Sequence, residues 1–282
     1  MENAHGRWFG SLELRFEKMG AQTVLSRSRH MGPLRVQRPF VEPDGGCQVY
    51  VLNPPGGTVG GDELRIYGRL LPGSQALLTA PGAAKFYRSA GPTAKTRQHF
   101  EVSAGARLEW LPQETIVYDG AIADVATRVE LEASASFVGW EITCLGRPAC
   151  GESFQTGHWS QRFELYERGR PLWVEKCRLS GNDPALDASW GLGTFSTFGS
   201  MALHPVPPEA LLTLRQAAAA LTTSDLHLAA TLLPHEGAGH TLVARVLSRS
   251  ATKARGLFAQ LWEVLRPLHF GSEATAPRIW AT

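Results

Sequence analysis

Leu12-Glu13-Leu14-Arg15-Phe16-Glu17 alternates apolar and charged side chains at every step. A period of two sets one face of a strand on a core and the other in water. The pattern recurs at Pro33-Leu34-Arg35-Val36-Gln37-Arg38, Glu63-Leu64-Arg65-Ile66-Tyr67 and Arg107-Leu108-Glu109-Trp110-Leu111. It returns at Arg128-Val129-Glu130-Leu131-Glu132 and Gln161-Arg162-Phe163-Glu164-Leu165-Tyr166-Glu167. From about residue 11 to residue 180 the chain therefore reads as strands. Turn residues separate the runs: Asp44-Gly45-Gly46, Pro54-Pro55-Gly56-Gly57, Pro72-Gly73, Pro81-Gly82, Gly91-Pro92 and Glu167-Arg168-Gly169-Arg170. Many short strands at such spacing mean a sandwich, a barrel or a β-solenoid. No repeat of fixed period is visible, which speaks against a regular solenoid built on a motif.

The composition shifts after Ser180. Gly181-Asn182-Asp183-Pro184 is a break, and glycine and small polar residues run on to Ser200. Pro207-Pro208-Glu209 then opens an Ala/Leu-rich run to Leu221, which predicts a helix. Residues 226–233 and 241–247 predict two strands around a glycine turn. A last helix is expected from about Ser250 to Leu265, with Leu257, Phe258, Leu261, Trp262 and Leu265 on one stripe and Pro267 ending it. The expectation is one domain over residues 1–282. It is mainly β: an all-β body over 1–200 and an α+β portion with two helices over 201–282.

Of the 282 residues, 43% are hydrophobic and 19% charged, an ordinary globular balance that excludes wholesale disorder. Lys plus Arg is 28 against 26 Asp plus Glu, with no block of like charge, so a dedicated nucleic-acid binder is not expected. No apolar run is long enough to span a membrane. The start, Met1-Glu2-Asn3-Ala4-His5-Gly6-Arg7, has no apolar signal core. Cys47, Cys144, Cys150 and Cys177 form no Cys-x-x-Cys pair and suit neither a zinc knuckle nor a disulfide framework. They read as reduced, small buried residues of a cytoplasmic protein.

Enzyme motifs are missing: there is no phosphate loop and no Gly-x-Ser-x-Gly elbow. Gly56-Gly57-Thr58-Val59-Gly60-Gly61 lacks dinucleotide-binding order and reads as a loop whose glycines take positive φ or admit close backbone approach. His235-Glu236-Gly237-Ala238-Gly239-His240 fails as a zinc-binding helix, because its histidines are five apart and its glycines deny the helix; it reads as a hairpin turn. The informative segment holds Glu109, Glu114, Asp119, Glu141 and Glu152 among apolar and aromatic neighbours. Glu141, between Trp140 and Ile142, either faces out from a strand or is buried for a purpose, since an unpaired buried carboxylate costs several kcal/mol or changes its pKa. In the second case it belongs to a polar path or a weak site of hard oxygen ligands. Arg88 beside Tyr87, and Arg147 before Pro148, are ion-pair donors or anion contacts.

Several stretches together resemble one family, the urease accessory protein D family, UreD (also called UreH). They are Gly32-Pro33-Leu34-Arg35-Val36-Gln37-Arg38-Pro39-Phe40 and Leu52-Asn53-Pro54-Pro55-Gly56-Gly57-Thr58-Val59-Gly60-Gly61-Asp62. Pro81-Gly82-Ala83-Ala84-Lys85-Phe86-Tyr87-Arg88-Ser89 and Leu108-Glu109-Trp110-Leu111-Pro112-Gln113-Glu114 follow. Cys144-Leu145-Gly146-Arg147-Pro148 leads to Gly151-Glu152, and the chain closes on Leu265-Arg266-Pro267 and Pro277-Arg278-Ile279-Trp280-Ala281-Thr282. The likeness covers nearly the whole chain from about residue 11.

The resemblance implies a non-enzymatic cytoplasmic scaffold that binds urease apoprotein subunits and accessory proteins F and G, G being the GTPase that carries nickel. It implies delivery of nickel to the two-metal urease centre through a water-filled passage, and a homodimer within the complex. It implies no tightly bound cofactor, only transient nickel; from charge and apolar patterning, neither nucleic acid nor membrane is expected as partner. It also implies a fold of many strands wound into a β-helix-like body with two helices near the C-terminus. By position, the likeness links Asp62, Glu141 (where some relatives carry Asp) and Glu175 to the passage as weak, transient nickel ligands. Gly60, Gly61, Lys85, Tyr87, Arg88, Glu109, Glu114, Arg147 and Glu152 are its other motif residues. His204 and His235 fall outside the motifs. Two rival expectations remain. One is an assembly scaffold without a nickel path, its carboxylates paired with arginines. The other is a metal-dependent hydrolase using Asp62, Glu141 and Glu175, which lacks a clustered histidine set. A nickel passage predicts that the three carboxylates line one continuous polar channel.

Overall fold

The computed structural model describes residues 8–237 and 239–281; readings made on residues 1–7, 238 and 282 lie outside them. The strands are β1 (Phe9–Met19), β2 (Gln22–Met31), β3 (Arg35–Val36), β4 (Phe40–Val41), β5 (Cys47–Leu52), β6 (Glu63–Leu70), β7 (Gln75–Thr79), β8 (Ala84–Phe86) and β9 (Ala94–Val102). There follow β10 (Arg107–Leu111), β11 (Thr115–Val117), β12 (Ile122–Leu131), β13 (Ser136–Leu145), β14 (His158–Glu167), β15 (Arg170–Ser180) and β16 (Thr197–Val206). Helix α1 (Ala210–Ala219), β17 (Leu226–His235), β18 (Gly239–Ser248) and α2 (Ala251–Phe270) complete the order.

The alternating runs become two facing layers. β1, β6, β9, β12 and β14 lie parallel in a seven-stranded sheet edged by β2 and β15. β5, β7, β10 and β13 lie parallel in an eleven-stranded sheet. The chain passes from one sheet to the other and back, adding one strand to each per circuit. That is the winding of a β-solenoid, at roughly 30 residues per coil. Phe9, Glu63, Lys95, Asp124 and Ser160 fall in one row across five coils.

The expected β-helix-like body forms, and the connections show why no fixed period is visible in the sequence. On one side the sheets are joined by stacked four-residue turns, 71–74, 103–106 and 132–135. Their third residues, Gly73, Gly105 and Ser134, all have positive φ. On the other side the connections 53–62, 80–93, 112–121 and 146–157 differ in length and carry the small strands β8 and β11 as a third face. Unequal loops spoil the spacing while the turns keep it.

After β13 the sheet continues antiparallel through β16, β18 and β17. Both expected helices form and lie on its outer face. Ser250 caps α2 by accepting the Lys253 N–H, and Ala254, Leu257, Phe258, Leu261, Trp262 and Leu265 form its buried stripe. They pack with Trp140, Met201 and Leu203, each full-size apolar side chain contributing about 2 kcal/mol. No helix among the described residues is long and apolar enough to cross a membrane.

Four local expectations are corrected. The run 33–38 shortens to the two residues of β3, because Pro33 and Pro39 donate no backbone hydrogen bond and Gly32 turns the chain at φ +72°. Arg107-Leu108-Glu109-Trp110-Leu111 is buried on both faces, not one, because α2 covers its outer side. Helix α2 does not end before Pro267 but runs to Phe270, with Gly271 donating to the Pro267 carbonyl as a left-handed cap. Arg266 holds that last turn: its guanidinium reaches Glu109 Oε1 (2.9 Å), Asp44 Oδ2 (3.1 Å) and the Glu273 carbonyl (2.6 Å). Finally, all four cysteines are free thiols, but only Cys47 and Cys144 are buried; Cys150 is exposed and Cys177 half-buried.

Candidate functional site

The space between the sheets is apolar at both ends of the strands and polar between. One cluster holds Phe16, Leu70, Phe100, Leu131, Phe137 and Leu165; another holds Phe86, Ala94, Val117, Ala123, Leu145 and Trp159. The polar layer consists of Gln98 on β9, Thr127 on β12, Glu141 and Thr143 on β13 and Gln161 on β14. Thr127 lies within hydrogen-bond reach of both Gln98 Oε1 and Glu141 Oε1. Gln161 Nε2 donates to Glu141 Oε2 at 2.5 Å. Gln161 Oε1 accepts from Thr143 (2.9 Å) and from the Trp159 indole (3.3 Å). Glu141 is thus the buried alternative left open by the sequence.

This layer opens into a cleft of about 330 Å³ inside the coil. Its polar lining includes Thr96, Gln98, Glu141 and Gln161, and the loop side brings Lys85, Pro112 and Gln113 to it. Burial pushes the Glu141 carboxyl up to about 7; hydrogen bonds from Thr127 and Gln161 work against that rise, and the Glu175 charge adds to it. Proton counting agrees with a group poised between states. Thr127 has one O–H and two acceptors in reach. With Glu141 neutral, its O–H donates to Thr127 and Thr127 donates to Gln98. With Glu141 ionised, Thr127 donates to Glu141 and Gln98 turns its amide over.

Glu175 sits nearby on β15. Its carboxylate accepts from Ser200 and from Arg245 Nε at 2.5 Å. Ser200 is the cross-strand partner of Glu141, and Arg245 that of Ser200. Glu141, Ser200, Glu175 and Arg245 therefore form a polar sequence that leads from the buried layer to a half-exposed arginine, 54% accessible. Asp62 is placed otherwise. Its two oxygens accept the Trp8 N–H (3.0 Å) and the Val59 N–H (3.1 Å), and it is not among the side chains lining the cleft. The structure brings Glu141 and Glu175 together and gives Asp62 the work of locking a turn.

The other motif residues build the loop face above the cleft or the seat of α2. Gly57 and Gly60 are close-approach positions: a Cβ on Gly57 would stand 2.2 Å from the Tyr87 ring, and one on Gly60 2.1 Å from Ser89 Oγ. Gly61 has φ +95°. Tyr87 meets Tyr118 edge-on at 4.8 Å. Arg88 pairs with Asp119 (3.1 Å), and Arg147 pairs with Glu152 (2.6 Å) while stacking over Tyr118. These arginines are ion-pair donors. Glu114 pairs with Arg255 of α2 at 3.7 Å. Glu109 accepts from Arg266 and from the Trp262 indole at 2.7 Å.

Gln98, Thr127 and Gln161 carried a signal in the sequence: each occupies the apolar phase of its strand, where a neutral polar residue needs a partner. Among the described residues no three His, Cys, Asp or Glu side chains converge as a metal site.

A family model described as UreD urease accessory protein matches residues 9–281. A protein of Brucella anthropi named Urease accessory protein UreD 2 is 44% identical over 277 residues, covering 98% of each chain. A Urease accessory protein UreD of Pseudomonas fluorescens is 43% identical over 276 residues, 98% of this chain and 95% of its own. One of Klebsiella pneumoniae is 39% identical over 277 residues, 98% and 96% respectively.

Proposed function

The chain belongs to the UreD family of urease accessory proteins, and from that premise we propose that it is a non-enzymatic scaffold delivering nickel during urease maturation. It binds urease apoprotein subunits and accessory proteins F and G, receives nickel carried by G, and passes it through the polar layer of the coil. A homodimer within that complex and a cytoplasmic setting complete the proposal. Nickel is cargo here, not a resident cofactor.

The observation that carries this reading is Glu141: a buried carboxyl, ringed by neutral hydrogen-bonding groups, in a cleft inside the coil. Carboxylate and amide oxygens are hard ligands, weak enough for nickel to release them, whereas a cage of several Cys or His side chains would retain the ion. Glu175 supplies a second oxygen donor near the rim.

The plain assembly scaffold, without a nickel path, is favoured by the pairing of Asp62 with backbone donors and of Glu175 with Arg245. Glu175→Leu separates the two. Co-purification with urease subunits and proteins F and G is measured beside nickel per urease active site. Nickel delivery predicts intact binding with less nickel on urease. The plain scaffold predicts wild-type nickel whenever binding is intact.

A further inference from the structure

β2 is the outermost strand of the seven-stranded sheet and, among the described residues, pairs only with β1. Thr23 N–H donates to the Gly45 carbonyl and so covers the start of its free side. From Ser26 to Met31 every residue is exposed. The ladder with β1 sets Arg27 opposite Arg15, Arg29 opposite Glu13 and Met31 opposite Ser11. Leu12, Leu14 and Phe16 point into the core, so these six side chains share the outer face. Like charges directly opposite each other on a sheet are destabilising. Among the described residues, Arg15, Arg27 and Arg29 take part in no salt bridge. Exposed apolar side chains flank them: Met31 on the same strand, Phe40 and Val41 on the neighbouring β4, and Met19 at the hairpin end.

We propose that the free edge of β2 docks an extended partner segment of alternating acidic and apolar residues, added as an eighth strand. Unpaired main-chain groups of an edge supply affinity, and the side chains beside them supply selection. An incoming strand places every second residue on the face of Arg27 and Arg29, which calls for carboxylates at a period of two. Its other face meets Ser28 and His30 with β4 close by. A second copy of this chain does not fit, because β2 against β2 sets arginine beside arginine. An uncharged strand laid on this edge would desolvate the arginines without pairing them, so the edge selects by charge. β2 contributes nothing to the cleft, and the proposal stands apart from the nickel path.

The test uses the full-length chain and a fluorescent peptide of four Val-Glu repeats, with a Val-Lys peptide as its counterpart. Anisotropy at about 50 mM salt, where surface charge is less screened than at physiological ionic strength, is expected to show saturable binding of the Val-Glu peptide alone. R27E/R29E should weaken it by about tenfold or more, equivalent to about 1.4 kcal/mol. Both arginines are exposed, so the variant should melt like the wild type; if it does not, Arg27→Ser, matching its serine neighbours, takes its place with a severalfold loss expected. Hydrogen exchange adds a readout that loose charge attraction would not move: amides of residues 24–31 should slow when the Val-Glu peptide binds. Absence of saturable binding, equal binding by the charge-reversed chain, or binding without protection of β2 overturns the proposal.

Discussion

Glu141 shows at one residue how burial and charge oppose each other. Its carboxyl stands at about 7 in the fold against 4.5 in the open chain, chiefly through burial. A raised carboxyl contributes stability that is fully present below about 4.5 and is lost as pH rises through about 7. The full loss is about 3 kcal/mol. Glu141→Gln copies the neutral form, its amide NH₂ meeting Thr127 and its oxygen accepting from Gln161. The variant should therefore match the wild type near pH 4.5 and exceed its stability by about 2–3 kcal/mol above pH 8 in urea unfolding. Glu42, also raised to about 7 by burial, and His204 and His269, pushed down to about 4 by burial, titrate equally in both proteins and cancel in the difference. A flat difference across that range would show that Glu141 is not held neutral. The sequence alone located Glu141 and left its burial open. Period-two alternation says which residues share a face, but β13 has both faces covered, so alternation could not say whether either face is wet.

At the scale of elements, the stacked turns make a direct prediction. Ser134 takes φ +63° where the equivalent positions are glycines. A left-handed conformation strains any residue with a Cβ. Ser134→Gly should raise stability by about 0.5–1 kcal/mol, and Gly105→Ala should lower it comparably, by equilibrium urea unfolding. Unchanged midpoints in both would remove turn strain from the account. The seat of α2 makes a second prediction. Arg266→Met leaves the buried Glu109 carboxylate without its cation and should cost about 3–5 kcal/mol. Adding Glu109→Gln should restore much of it, and a double variant as unstable as the single one would contradict the pairing. Both helices, the last hairpin and most strands were legible from periodicity and turn residues. The reach of α2 past Pro267 was not, because it depends on Arg266 meeting residues more than 150 positions away in the chain. The coil was hidden by unequal loops, and the burial of Arg107 and Glu109 by a helix that alternation within β10 cannot announce.

For the whole molecule, the solenoid turns a one-dimensional pattern into an interior with a polar layer. Successive coils stack the apolar phases of their strands, and the few neutral polar residues in that phase meet at the same level. Gln98, Thr127 and Gln161 then surround Glu141, and Ser200 and Glu175 continue the polar groups outward. Within the buried layer Glu141 is the one side chain that can supply an anionic oxygen to a divalent ion, because Gln98, Thr127 and Gln161 are uncharged. The direct measurement is nickel per urease active site after maturation with accessory proteins F and G, using the wild-type chain or Glu141→Gln. Glutamine keeps volume and hydrogen bonds and removes only the anionic ligand. With the variant still co-purifying with urease and protein F, nickel loading should fall about tenfold, the effect of about 1.4 kcal/mol at one step. Wild-type loading by a variant that binds its partners normally would contradict passage of nickel over Glu141.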